Sequence, residues 1–222
     1  MNIGNIEKQY VLEAAQQMER NGLVVGTSGN VSMRINAHDG RELIAITPSG
    51  RYYDLLSVND IVVVDCEGER IEGELAESIE TMLHIEIYRA RRKVNAVIHA
   101  HPPFCNVLAI AGTGIPPVLD DQVVYLGGEI KLSEYAVPGS EAMVKNVVSA
   151  LGWRNAVIMA NHGALTVGRD MREAWTNCKV LEQTAKVYVY ALAVGKINSL
   201  PREALDVELR YFHSKYGEKQ VI

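Results

Sequence analysis

The sequence predicts a single domain with an α/β sandwich fold. Three observations carry this prediction: helical spacing of apolar residues towards both ends of the chain, short strand-like runs between them, and short connections that do not demand a parallel sheet. Of the 222 residues, 48% are hydrophobic, so the chain can bury one sizeable core. No linker or repeat divides the chain, and we expect residues 1–222 to fold as one unit.

The first third of the chain predicts one helix followed by four strands. The helix covers residues 6–20, where apolar residues recur at helical spacing, and Gly22 is suited to ending it. The turn residues His38-Asp39-Gly40 lie between the first two strands and are typical of a hairpin. The four strands are expected at residues 31–35, 43–47, 61–65 and 70–71.

The rest of the chain predicts three helices, two strands and a looser region. Ser78 is expected to cap the second helix, and Asp170 to cap a long helix that Gly195 ends. The helices are expected at residues 78–91, 170–194 and 201–216, and the strands at residues 94–98 and 156–160. Residues 102–140 hold many prolines and glycines and predict loops with short strands.

Composition and charge argue against several classes of partner. The formal net charge is −5 and no basic cluster is present, so we expect no binding to nucleic acid or to an anionic membrane. No apolar stretch approaches the ~18 to 20 residues of a membrane span, and the first residues do not resemble a signal peptide. The three cysteines are widely spaced, which favours a reducing compartment. These features predict a cytoplasmic protein.

Three histidines are the strongest sign of chemistry. His99 and His101 follow an apolar run, and residues i and i+2 of a strand point to the same face. His162 ends a similar run and is followed by Gly163, which is expected to let the chain turn away from a ligand. Three histidines with an open fourth position are typical of a catalytic zinc site.

Carboxylates near the histidines are candidates for proton transfer. Glu80 lies in the first turn of the helix that precedes the His99 strand, where it can serve as a metal ligand, as a base, or only as a favourable charge at a helix N-terminus. Glu77 competes for the same role. His84 follows Glu80 by four residues and is either a further metal-facing side chain or a core histidine with its own hydrogen bond.

Two loops and one helix start offer groups that suit an anion such as phosphate. The loops are Gly26-Thr27-Ser28-Gly29-Asn30 and Thr47-Pro48-Ser49-Gly50, and the helix start is Ser78. Backbone N–H groups and hydroxyls bind phosphate in such places, although most loops of this composition only turn the chain.

These segments, in this order, resemble the class II aldolase/adducin family over nearly the whole chain. The segments are residues 26–32, 47–50, Glu80 before a helix, His99-Ala100-His101 and Asn161-His162-Gly163. The resemblance implies a three-layer α/β/α sandwich around a central, largely antiparallel sheet. It also implies a homo-oligomer, a C4 tetramer with active sites between subunits.

The resemblance assigns roles to individual residues. His99, His101 and His162 correspond to ligands of Zn²⁺ or another divalent metal, and Glu80 to the catalytic glutamate that also approaches the metal. The phosphate-pocket positions correspond to Thr27, Gly29, Asn30, Ser49, Gly50 and Ser78. Ile79 stands where many relatives have a second serine, which removes one hydroxyl from this pocket.

Two further residues are assigned through the fuculose-phosphate aldolases of this family. Tyr216 resembles their C-terminal tyrosine, which reaches into the site. By approximate alignment, Asp121 falls where these enzymes have a second tyrosine from a neighbouring subunit. Asp121, or the adjacent Asp120, is therefore a candidate acid or base, and a solvated loop is the alternative.

The implied function is that of a zinc-dependent lyase. It is a class II aldolase that reversibly cleaves a ketose 1-phosphate, similar to L-fuculose 1-phosphate, into dihydroxyacetone phosphate and an aldehyde. A sugar-phosphate 4-epimerase, a dehydratase and a decarboxylase are alternatives on the same scaffold, and a non-catalytic interaction domain like that of adducin is a further one. The full histidine set and Glu80 argue against the last.

Overall fold

The central feature of the fold is one eight-stranded sheet, formed within residues 3–36 and 40–216, which are the residues that this computed structural model describes. The strands are β1 (Asn30–Asn36), β2 (Glu42–Ile46), β3 (Val62–Val64), β4 (Arg70–Glu72), β5 (Ala96–Ala100), β6 (Leu132–Ser133), β7 (Ala156–Met159) and β8 (Gly163–Gly168). Their spatial order is β4-β3-β2-β1-β5-β8-β7-β6. Neighbours are antiparallel except β6 and β7, which confirms the largely antiparallel sheet.

Helices cover both faces of this sheet. They are α1 (Asn5–Arg20), α2 (Thr81–Ala90), α3 (Pro103–Ala111), α4 (Glu141–Leu151), α5 (Met171–Val194) and α6 (Arg202–Tyr216). Apolar residues of α2 and α4 share one core with the sheet, while α1, α3 and α5 contribute to cores on the other side. The predicted three-layer sandwich is confirmed. Within the described ranges, none of the helices has the length and apolarity needed to cross a bilayer.

Strand β5 shows how alternation sorts side chains between the two faces. Ala96 and Ile98 pack in the core with α1, whereas Val97 packs in the core with α2 and α4. Successive strand residues point to opposite faces, so His99 faces α2. The same rule makes β1 present Asn30 and Ser32 to α2, because Val31 packs with α1.

Several predicted elements are confirmed with shifted ends. The structure contains the helix predicted over residues 6–20 and the paired strands β1 to β4. It also contains α5, with Asp170 as its N-cap and Gly195 directly after it. The hairpin turn between β1 and β2 was expected at 38–40, and His38 and Asp39 lie outside the described residues. Strand β5 lies two residues later than expected, so His99 is inside the strand rather than after it.

Two predictions about local structure are wrong in whole or in part, and two elements were not predicted. Ser78 does not cap α2: the helix starts at Thr81 with Glu80 as its N-cap, because Ser78 to Thr81 form a separate turn in which Thr81 N donates to the Ser78 carbonyl at 3.1 Å. The region expected to hold loops and short strands does contain the short strand β6, but it also contains the helix α3, which begins at Pro103 because proline suits the first helical position. The strand β8 immediately after His162 was not predicted, nor was α4.

Candidate active site

The histidine cluster forms where β5 ends beside the β7–β8 turn. His99 Nε2 and His101 Nε2 lie 3.1 Å apart. The imidazole ring of His162 lies 4.8 Å from that of His99 and 5.1 Å from that of His101, measured between centroids. The ligand atoms that the three side chains offer all fall within 4.8 Å of one another. The structure therefore brings together the three histidines singled out from the sequence.

The turn that presents His162 depends on two neighbours. Asn161 has a positive φ of 54°, a conformation that asparagine tolerates better than most residues. Gly163 was expected to make this turn, but it has another role. A Cβ at Gly163 would lie 2.5 Å from the Ala100 carbonyl oxygen and 2.8 Å from His101 Cδ2, so only glycine leaves room for the imidazoles.

Glu80 reaches the cluster from the N-cap position of α2. Its Oε2 lies 3.3 Å from His99 Nε2, and its Oε1 lies 3.5 Å from His162 Nε2. Asn30 Nδ2 donates a hydrogen bond to Glu80 Oε2 at 2.7 Å. The Glu80 residue is only 4% exposed. A buried carboxylate thus lies between two imidazoles and is fixed by an amide from β1.

The electrostatics favour an ionised Glu80 carboxylate beside neutral rings of His101 and His162. Burial raises the pKa of Glu80, but His99 and the hydrogen bond from Asn30 lower it by more, so the pKa lies below its ordinary value. Burial, with help from neighbouring imidazoles, lowers the pKa of His101 to about 4 and also lowers the pKa of His162. At neutral pH both of these rings are neutral and offer lone pairs.

This donor set fits a divalent metal such as Zn²⁺. The His99 Nδ1–H donates to the Ala164 carbonyl oxygen at 3.0 Å, which leaves the Nε2 lone pair facing the cluster. In a tetrahedral site with zinc–nitrogen bonds of roughly 2.0–2.1 Å, two ligand nitrogens lie about 3.3 Å apart. The separation of His99 and His101 is close to that value. Glu80 Oε1 is buried with no hydrogen-bond partner among residues 3–36 and 40–216.

A cavity of about 270 Å³ opens beside the histidines. Glu80 and the three histidines line it. So do all six residues assigned to the phosphate pocket, which are Thr27, Gly29, Asn30, Ser49, Gly50 and Ser78. Gly29 has a φ of 75°, and a Cβ there would lie 2.7 Å from the His99 carbonyl oxygen. The loop therefore comes this close to β5 only because residue 29 is glycine.

Four other residues line the cavity. Ser28 and Pro48 lie within the two predicted loops, and Ile79 lines the cavity while being 68% exposed. Pro138 also lines it and was not predicted. Its only local signal is the Pro138-Gly139 pair, which indicates a turn but does not indicate which part of the fold the turn approaches.

Glu77 and His84, the other two candidates for a role beside the histidine cluster, have other partners. Glu77 pairs with Arg70 at 3.6 Å and does not line the cavity. His84 is fully buried, and its Nδ1 lies 2.6 Å from Ser32 Oγ. Burial lowers the pKa of His84 to about 3. His84 is therefore a hydrogen-bonded core histidine and not a member of the histidine cluster.

Tyr216 and Asp121 lie away from the cavity within one chain. The Tyr216 hydroxyl donates to Glu173 Oε1 at 2.9 Å, and Glu173 follows the far end of β8, about 17 Å along the strand from Gly163. Asp121 and Asp120 are exposed beside a π-helical turn at Gln122–Leu126, close to Glu208. The single chain does not bring these residues to the histidines.

Comparison with known proteins finds similarity along nearly the whole chain. The family described as Class II Aldolase and Adducin N-terminal domain matches residues 9–189. The 5-deoxy-D-ribulose 1-phosphate aldolase of Bacillus thuringiensis is 29% identical over 213 residues, which are 96% of this chain and 98% of that protein. The 5-methylthioribulose-1-phosphate/5-deoxyribulose-1-phosphate aldolase of Rhodospirillum rubrum is 34% identical, over 94% of this chain and 91% of that protein.

A solved structure extends the similarity to three dimensions. An L-fuculose 1-phosphate aldolase superposes with a TM-score of 0.87 at 31% identity, and the match covers 93% of this chain and 95% of that chain. The elements that carry the histidines, Glu80 and the loops lie within the residues matched by the family.

Proposed function

The chain belongs to the class II aldolase and adducin family, and from this premise we propose that it is a zinc-dependent aldolase. It reversibly cleaves a ketose 1-phosphate into dihydroxyacetone phosphate and an aldehyde. The observation that carries the proposal is the position of Glu80, a buried carboxylate 3.3 Å from His99 Nε2 and 3.5 Å from His162 Nε2, beside a cavity of about 270 Å³.

His99, His101 and His162 would hold the ion, and Glu80 would be a further ligand in the absence of substrate. A bound divalent ion supplies Lewis-acid polarisation of the substrate carbonyl. In the direction of condensation, Glu80 removes a proton from the carbon next to the carbonyl of dihydroxyacetone phosphate. In the direction of cleavage it returns that proton. The hydrogen bond from Asn30 orients the carboxylate for both transfers.

The loops around the cavity bind the phosphate group of the substrate. The cavity is lined by the hydroxyl residues Thr27, Ser49 and Ser78 and by backbone near Gly29 and Gly50. Hydroxyls and backbone N–H groups of this kind hold phosphate in other proteins. These contacts place the reacting carbon next to Glu80. Ile79 contributes no hydroxyl, so fewer donors are available than the usual pair of serines would offer.

The remaining proton transfer, at the hydroxyl where the bond breaks, is assigned to Tyr216 and Asp121, with Asp120 as the alternative. Because these side chains lie away from their own chain's cavity, the assignment requires a neighbouring copy. We therefore include a homo-oligomer, a C4 tetramer, in the proposal. Exposed apolar side chains on α3 and α5, among them Val107, Ile110 and Tyr190, support burial against another chain.

The cytoplasm remains the proposed compartment. All three cysteines are free thiols, and two of them, Cys105 and Cys178, are buried, which suits a reducing environment.

The test is release of dihydroxyacetone phosphate by zinc-loaded protein from a panel of ketose 1-phosphates. The panel includes L-fuculose 1-phosphate, 5-deoxyribulose 1-phosphate and 5-methylthioribulose 1-phosphate, because relatives bear names of aldolases for these sugars. Release from one member supports the proposal and identifies the aldehyde. Absence of release from every member would overturn it, and product analysis would then separate epimerase, dehydratase and decarboxylase activity.

A further inference from the structure

Polar contacts between β1 and α2 form three successive rungs, and Glu80 belongs to the first. In the first rung, Asn30 Nδ2 donates to Glu80 Oε2 at 2.7 Å. In the second, Ser32 Oγ lies 2.6 Å from His84 Nδ1. In the third, Arg34 Nη2 donates to the Tyr88 carbonyl oxygen at 2.9 Å. The rungs use every second residue of the strand and every fourth residue of the helix.

This pairing has a simple geometric basis. Two residues of a strand advance by about 6.6 Å and four residues of an α-helix by about 6.0 Å, so side chains at these spacings stay opposite one another. A helix can slide or rotate against a sheet when only apolar side chains meet. Directional hydrogen bonds at a matched spacing define one register. The β1–α2 contact is therefore held in one register along the three rungs.

The second rung is the most buried of the three. Ser32 and His84 have no exposed surface, and Tyr88 is 2% exposed. Ser32 Oγ also lies 2.7 Å from the Tyr88 hydroxyl, so this oxygen connects two side chains of α2 to the strand. The other imidazole nitrogen of His84, Nε2, has no hydrogen-bond partner among the described residues. The single bond to Ser32 thus determines how His84 is oriented.

We propose that His84 is a positioning residue whose hydrogen bond to Ser32 fixes the register of α2 on β1 and so holds the Glu80 carboxylate between His99 and His162. This inference rests on the proposed function of Glu80. Glu80 is the N-cap of α2, where the backbone has fewer intrahelical restraints than inside the helix, and His84 lies one turn further along the same face. Loss of the second rung leaves the bond between Asn30 and Glu80 as the only rung near the carboxylate, because the third rung lies two helical turns away at Tyr88.

The test compares His84→Leu with His84→Asn. Leucine fills a similar volume without a polar group, and Ser32 Oγ keeps its contact with the Tyr88 hydroxyl, so the fold is expected to survive. Asparagine places a polar atom near the position of Nδ1 and is expected to restore the contact with Ser32. A displacement of about 1 Å at a reacting group costs on the order of 100-fold in rate. We expect His84→Leu to lower kcat for proton exchange on dihydroxyacetone phosphate by 10- to 100-fold with little change in KM, and His84→Asn to recover most of it.

A matched control and a double variant separate positioning from general damage. Ile85→Val removes packing from the same helix without touching a rung, and it is expected to lower the melting temperature while leaving exchange unchanged. In a Glu80→Gln background, His84→Leu should cause no further loss of exchange, because the residue through which it acts is already disabled. A further loss of the same size in that background would overturn the proposal.

A measurement that does not depend on turnover completes the test. Because Glu80 contacts two of the metal-binding histidines, its displacement should weaken zinc affinity in chelator competition by about 10-fold in His84→Leu and much less in His84→Asn. Unchanged affinity, with the Glu80 carboxylate still on Asn30 in a crystal structure of His84→Leu, would overturn the proposal. If wild-type protein exchanges no proton at all, the proposed function fails, and the affinity and the crystal structure still decide the role of His84.

Discussion

The Nδ1–H of His99 donates to the carbonyl oxygen of Ala164 at 3.0 Å, across the antiparallel pair β5–β8. This bond determines which nitrogen of the ring is protonated. It also orients Nε2 towards His101 and Glu80. The sheet itself therefore supplies the outer contact that a metal-binding histidine needs.

Removal of the metal is expected to lower both activity and stability. A ligand that binds only the folded protein and is present at 100 times its Kd stabilises it by about 2.7 kcal/mol. For a chain of this size, that corresponds to a fall in melting temperature of about 5–10 °C after treatment with a chelator. Thermal unfolding with and without zinc measures the effect. His101→Ala should lose both the bound zinc and the stabilisation, whereas His213→Ala, on α6, should keep them. Full zinc occupancy in His101→Ala would remove His101 from the ligand set.

Glu80→Gln is expected to keep the fold while losing proton exchange. Glutamine preserves the shape of the side chain and can still contact Asn30, but it cannot accept the proton. General base catalysis is commonly worth about 10²- to 10⁴-fold, and we expect a loss in that range. Exchange of solvent deuterium into dihydroxyacetone phosphate measures it. Glu77→Gln is the matched control, since Glu77 faces Arg70 outside the cavity. Normal exchange in Glu80→Gln would contradict the assigned role.

Gly163→Ala is expected to weaken metal binding by crowding the imidazoles. The added methyl group would lie 2.5 Å from the Ala100 carbonyl oxygen and 2.8 Å from His101 Cδ2. The Ala100 carbonyl belongs to the backbone, so moving it away costs more energy than moving a flexible side chain. Overpacking of this kind costs about 1–3 kcal/mol. Gly168→Ala is equally crowded, with its methyl group 2.3 Å from Ala174 N, but at the other end of β8. Both variants should be less stable, and only Gly163→Ala should lose zinc affinity in a chelator competition.

The parts of the site that could be predicted from the sequence depend on local periodicity. His99 lies in β5 and His101 directly follows the end of that strand, so their common face follows from the pleat alone. The glycines and hydroxyl residues of the two loops, at residues 26–30 and 47–50, can also be recognised from the local sequence. In contrast, β8 is buried at all six positions and begins and ends with glycine, so it lacks the alternation that indicates a strand.

Most of the features that could not be predicted from the sequence depend on contacts between residues far apart in the chain. The prolines at 102 and 103 are as typical of a loop as of a helix start. The carboxylate that stabilises the helix start here belongs to a residue far away in the sequence. Glu182 of α5 accepts hydrogen bonds from Phe104 N and Cys105 N, the latter across 77 residues. Similarly, the pattern of α6 predicts a helix but not that Tyr216 bonds to Glu173. Such pairings exist only once the chain has folded.

Glu182→Ala is expected to loosen the start of α3 and, through it, His101. Glu182 Oε1 and Oε2 accept from Phe104 N at 3.0 Å and Cys105 N at 3.1 Å, and Pro102 offers no side-chain cap of its own. Loss of a cap costs about 0.5–2 kcal/mol. Because His101 directly precedes this segment, zinc affinity should fall as well. Asp170→Ala removes the cap of α5 and should lower stability alone. Equal zinc affinities in the two variants would show that α3 does not position His101.

Glu173 is expected to make the fold sensitive to acid. Burial raises the pKa of its carboxyl, but hydrogen bonds from Arg169 and Tyr216 lower it by more, from 4.5 to about 2. Because the folded-state pKa is the lower one, its stabilisation is complete above pH 4.5 and is lost as the pH falls towards 2. Glu173→Gln should therefore lower the free energy of unfolding by about 1–2 kcal/mol at pH 7, with the difference from wild type shrinking steadily below pH 4.5. Urea unfolding across this range measures it, with Glu129→Gln as control, since the Glu129 side chain is 55% exposed and its carboxylate lies 3.6 Å from Arg154. A difference that stays constant down to pH 3 would mean that the charge of Glu173 does not stabilise the α5–α6 contact.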